Sequence, residues 1–133
     1  MDRGAGTRPR TDAQCRGDAA EARAFAHLVA HGLVPVARNV RFKVGELDLV
    51  MRDGATLVFV EVRRRRHAAW GDALASIDRG KARRFARAAQ AFLQRHPAWA
   101  SCPCRFDVVA FDADDPRPRW HRHAFALDDL GGA

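Results

Sequence analysis

Three carboxylates, Glu46, Asp48 and Glu61, are set inside two apolar runs, Gly45-Glu-Leu-Asp-Leu-Val50 and Leu57-Val-Phe-Val-Glu-Val-Arg63. A lone charge in an apolar strand is expensive unless it is paired. Acids in such a place imply a cation, either a metal ion or a basic side chain. Asp53-Gly54 lies between the runs and is a strong hairpin signal. A two-residue turn there pairs Arg52 with Ala55, Asp48 with Phe59 and Glu46 with Glu61. That register puts Glu46, Asp48, Phe59, Glu61 and Arg63 on one face. Leu47, Leu49, Val58, Val60 and Val62 fall on the other, toward a core. Asp48 and Glu61 then lie diagonally across two strands, roughly 7 Å apart at Cβ. One hard cation fits between them, since Mg²⁺ binds oxygen at about 2.1 Å and takes one or two carboxylates plus water and phosphate oxygens. Arg63 adds a positive charge beside the acids. An acid pair followed by a cation suits phosphodiester hydrolysis, with the metal for water and phosphate and the cation for developing charge. A polar sheet face laced by ion pairs is the other reading of the same pattern.

The elements that must position these groups follow from the flanking sequence. Arg16 to His31 reads as a helix with Phe25, Leu28 and Val29 as its buried stripe, closed by Gly32. Glu21 lies along the edge of that stripe. It is either a solvated first-turn acid or a third acidic group near the hairpin. Leu33 to Phe42 is a strand whose Pro35 assigns it to a sheet edge. Arg63 to His67 is a basic run leaving the second hairpin strand. Trp70 and Gly71 belong to the loop that follows. A second helix runs from Ile77 or Asp78 to His96 and is stopped by Pro97. Its stripe is Ile77, Phe85, Ala88, Ala89, Phe92 and Leu93, with Lys81, Arg84, Arg87 and Arg95 on its flanks. Arg105 to Phe111 is a central strand. The Asp-Pro stretch to Pro118 reads as a turn, and Trp120 to Phe125 as a short edge strand. The order α-β-β-β-α-β-β predicts an α/β fold, a mixed central sheet flanked by helices.

Composition bounds the function. With 133 residues the chain forms one domain, here residues 16–127, between a flexible basic segment (1–15) and a loose tail (128–133). Lys and Arg number 23 against 16 Asp and Glu, a net charge of +7. Arg in place of Lys can reflect coding bias, but a surplus of positive over negative charge cannot. It favours an anionic partner, most often nucleic acid. Three cysteines make an odd count, which argues against a disulfide framework. No membrane-length apolar run or leader pattern is present, so the sequence predicts a cytoplasmic protein with no membrane partner.

Taken together, Gly45-Glu-Leu-Asp-Leu-Val, Leu57-Val-Phe-Val-Glu-Val-Arg63, Lys81 and Arg105-Phe-Asp-Val-Val resemble the YraN-like family of small bacterial proteins. That family is placed with the PD-(D/E)xK restriction-endonuclease-like superfamily, near the archaeal-type Holliday junction resolvases. The resemblance covers roughly Arg16 to Phe125. It implies a restriction-endonuclease-like core and a metal site at Asp48 and Glu61, with the Val62 backbone carbonyl as a further ligand. The helical Glu of the resolvase branch falls on Glu21. The motif Lys falls on Arg63, a departure from the nuclease signature. Arg stays charged and cannot act as a base, though it can still hold a phosphate. The implied catalytic set is Glu21, Asp48, Glu61 and Arg63, with Mg²⁺ or Mn²⁺ as cofactor. Candidate nucleic-acid contacts are Arg41, Arg64, Arg65, Lys81 and Arg84. The implied activity is endonucleolytic, on structured or branched DNA, by a possible homodimer. The alternative is a nucleic-acid-binding protein that keeps the fold without turnover.

Overall fold

The computed structural model describes residues 12–65, 79–112 and 115–125. Within them the chain runs α1 (Asp12–Ala30), β1 (Val34–Phe42), β2 (Gly45–Asp53), β3 (Thr56–Arg65), α2 (Arg79–Arg95), a 3-10 turn (Pro97–Trp99), β4 (Cys104–Asp112) and β5 (Asp115–Phe125). Residues 1–11 of the basic lead-in, Trp70, Gly71, Ile77 and the tail lie outside the described residues, as does the side chain of Arg65, whereas residues 12–15, expected in the lead-in, are the first of α1.

The five strands form one mixed sheet in the order β1-β2-β3-β4-β5. Three junctions are antiparallel hairpins, and β3–β4 is parallel. A parallel neighbour cannot be reached by a tight turn, so the chain must cross over, and α2 lies in that crossover. Both faces of the sheet are covered. On one, Ala20, Ala24 and Leu28 of α1 pack on Leu49, Met51, Val58, Val60, Val109 and Phe111. On the other, Phe85, Ala88, Ala89 and Phe92 of α2 pack on Leu47, Val50, Leu57, Phe59 and Phe106. Phe59 stacks on Phe106 at 5.6 Å and meets Phe92 edge-on at 6.0 Å. The mixed central sheet flanked by helices and its element order therefore match what the sequence implied.

Several details differ. The hairpin turn is Gly54-Ala55, not Asp53-Gly54: Asp53 pairs with Thr56 and Leu49 with Val60. Gly54 has φ 61. It takes the first loop position, where a II′-type turn calls for Gly. The slip is two positions in pairing, so the faces survive. Extending the register one step sets Asp48 opposite Glu61 instead of Phe59. Strict alternation also fails at Leu47, which joins the α2 core although Leu49 faces α1.

The α1 stripe runs through Ala20, Ala24 and Leu28. Phe25 is only half-buried and Val29 is 43% exposed. Small residues win there because the helix lies close on the sheet. Finally, β5 begins at Asp115, inside the stretch read as a turn. An edge strand tolerates Pro116 and Pro118, whose missing N–H groups cost no ladder bond when they face outward.

Candidate metal and phosphate site

The β2–β3 ladder runs to Leu49↔Val60 and stops. Beyond that pair the strands diverge, and a cleft of about 540 Å³ opens in the fork. Asp48 and Glu61 lie at its floor. Glu21 approaches from α1, and Lys81, Arg84 and Phe85 from α2. Arg41, Glu46, Val62 and Arg64 complete the rim. The diverging backbone is partly closed by a side chain: the Val62 N–H donates to Asp48 Oδ2 at 2.9 Å.

Asp48 and Glu61 are hydrogen-bonded carboxyl to carboxyl, and burial first, then the Glu61 charge, pushes the Asp48 carboxyl up to about 8. At neutral pH the coupled pair therefore keeps a proton, which the two carboxyls share. Glu21 is also raised, by burial and by the Asp18 and Glu46 charges, against the pull of Arg38 and a bond from Asn39. Glu61, only 9% exposed, carries two cations on the same oxygen: Lys81 Nζ at 3.1 Å and Arg63 Nη1 at 3.7 Å. Arg41 pairs loosely with Glu46 at 3.9 Å.

A half-buried Asp48 and a buried Glu61 that share a proton fit a divalent cation, because removal of that proton leaves two anions facing one point. Among the described residues no three His, Cys, Asp or Glu side chains converge as a cage. Asp48 and Glu61 would hold the ion, with Val62 beside them. Glu21 stands at the rim, close enough for its charge to reach Asp48.

Sequence reasoning missed two features. Asn39 adopts φ 52 within β1, between the pairs Arg38↔Leu49 and Val40↔Leu47, and bonds to Glu21. Asn is the residue that tolerates this backbone, and that tolerance was the signal to read. Lys81 looked like a backbone-gripping residue on a helix flank, yet it reaches into the acid pair. Its position depends on Gly45, where a Cβ would lie 2.6 Å from the Arg84 carbonyl oxygen. Gly45→Ala must push α2 off the sheet. We expect a loss of about 1–3 kcal/mol in urea denaturation, as for other overpacked sites.

The profile described as "Uncharacterised protein family UPF0102" matches residues 20–111. The chain is 55% identical over 116 residues to a UPF0102 protein of Xanthomonas campestris pv. campestris (strain B100), covering 87% of this chain and 95% of that protein. It is 50% identical over 120 residues to one of Pseudomonas paraeruginosa (strain DSM 24068 / PA7), covering 87% and 96%. A UPF0102 protein of Alkalilimnicola ehrlichii is 53% identical over 109 residues, covering 82% and 85%.

Proposed function

The chain belongs to the UPF0102 family, and from that premise we propose that it is a metal-dependent endonuclease acting on structured or branched DNA. One observation carries the reading: a proton-sharing pair, half-buried Asp48 and buried Glu61, at the floor of a cleft ringed by Arg41, Arg64, Lys81 and Arg84. A bound Mg²⁺ or Mn²⁺ supplies Lewis acidity toward a phosphate oxygen and a water of lowered pKa. The rest falls to the chain's own residues. Asp48 and Glu61 would hold the ion once the pair's shared proton had passed to solvent, and the Val62 N–H, which donates to Asp48 Oδ2, would keep that carboxylate oriented. The rim cations draw the DNA backbone in and orient it, and they offset charge developing on the phosphate. Glu21 faces the same space and adds an acceptor for water at the rim. Cutting both strands of a branch needs two such clefts, so the reading carries a homodimer with it.

The test is cleavage of a labelled four-way DNA junction and of its linear arms, with Mg²⁺ or Mn²⁺. Wild type should cut, and Asp48→Asn should lose at least about a thousandfold in rate, as expected when a site's electrostatic centre is removed. Undiminished cleavage by pure Asp48→Asn protein would sink the proposal. Salt-sensitive binding without turnover would select the alternative, a non-catalytic DNA-binding member of the fold. Its affinity would still fall steeply with salt, through counterion release from the phosphates that the rim arginines contact.

A further inference from the structure

We infer that Lys81 of α2, not Arg63 of β3, is the cation that meets the scissile phosphate. This rests on the metal-site reading above. Both side chains touch Glu61 Oε2, but Lys81 is closer, 3.1 Å against 3.7 Å. Lys81 lines the cleft together with Asp48, whereas Arg63 is not among the described residues that line it. Exposure agrees: the Lys81 side chain is 39% exposed and that of Arg63 is 21%. Arg63 is also fixed in the sheet interior, on a strand paired with β4 through Arg63↔Ala110.

The chemistry favours Lys81 as well. Its ammonium is a compact charge with three donors on a flexible stem. Once Glu61 is engaged as a ligand, that ammonium can pivot from the carboxylate to a phosphate oxygen while its helix stays still. The Gly45–Arg84 backbone contact sets the start of that pivot, since Lys81 lies one turn before Arg84 on α2. Arg63 then has a positioning role, steadying Glu61 from the side.

Calorimetric titration of Mn²⁺ separates the two residues without relying on turnover. Lys81 competes with a divalent cation for Glu61, so Lys81→Met should bind Mn²⁺ about fivefold tighter or better. In junction cleavage the same variant should be at least about a hundredfold slower. Lys81→Arg should return Mn²⁺ affinity to near wild type, because the charge is restored, yet recover only part of the rate. Arg63→Met should retain at least tenfold more cleavage than Lys81→Met. If Lys81→Met fails to fold by circular dichroism, Lys81→Gln takes its place. Wild type that binds Mn²⁺, with Lys81→Met within threefold of it in affinity and rate, overturns the inference alone, as does a larger loss from Arg63→Met. Wild type that binds no Mn²⁺ overturns the metal reading and this inference with it.

Discussion

Replacing Asp48 with Asn should make the metal-free protein more stable, not less, above neutral pH. The sign follows from linkage. In the unfolded chain Asp48 ionises near its ordinary value of 3.8, and in the fold near 8. Between those values the folded state binds the extra proton. Stability is therefore full at low pH and falls as pH rises toward 8. Each tenfold change in proton affinity is worth about 1.4 kcal/mol, and relaxation around the pair reduces what the ionised site forgoes. Glu21 adds a smaller change of the same sign in the acid range, since it too is raised. Asn keeps the shape and an acceptor for the Val62 N–H but never ionises. We expect Asp48→Asn to gain about 2 kcal/mol at pH 8.5, roughly 5–10 °C in Tm. Mn²⁺ should raise the Tm of wild type at that pH and leave the variant unmoved. Calorimetric scans from pH 5 to 8.5 decide the matter, and parallel pH profiles for the two proteins would refute the account.

The second large effect lies away from the cleft. Asp107 is fully buried and accepts from Arg105 Nε and Nη2, from Trp120 Nε1 at 2.8 Å and from the His123 N–H at 2.9 Å. Arg105 reaches on to Asp53 at 2.8 Å, beside the β2–β3 turn. One carboxylate thus ties β4 to β5 and, through Arg105, to the hairpin. It also holds His123 at φ 53, a strained position for that residue. Asp107→Ala strands these donors, and breaking a buried ionic network by removing one partner costs about 3–5 kcal/mol. Arg117→Ala is the control. It breaks a pair with Asp115 whose Arg side chain is 83% exposed, and such pairs are worth about 0–1 kcal/mol. Urea denaturation should separate the two variants clearly. Equal midpoints would show that the Asp107 network is no stronger than a surface pair.

How much of this was legible in the sequence depends on the range of the interaction. Apart from Leu47, the hairpin faces were readable because alternation is local, and they survived an error in the turn because a shift of two preserves parity. Edge status for β1 was readable from Pro35. The Asp48–Glu61 pair was readable as an anomaly, acids among apolar neighbours. The stop in the ladder after Leu49↔Val60 was not, since nothing local marks where two strands part. Lys81 was visible as a flank residue, but its reach to Glu61 depends on α2 seating against Gly45, a contact 39 residues apart in the chain. The Asp107 network was likewise hidden. Its donors come from β4 and β5, and periodicity carries no information about which side chains meet across that edge.

The Val62–Asp48 hydrogen bond has a use of its own. A single amide proton is attached to the carboxyl on which the chemistry turns. A bond to an ionised carboxylate is shorter and stronger than one to its neutral form. In nuclear magnetic resonance spectra the Val62 amide should therefore move downfield as Asp48 loses its proton, with a midpoint near 8. A silent backbone position becomes a resident spectroscopic gauge of the charge on Asp48.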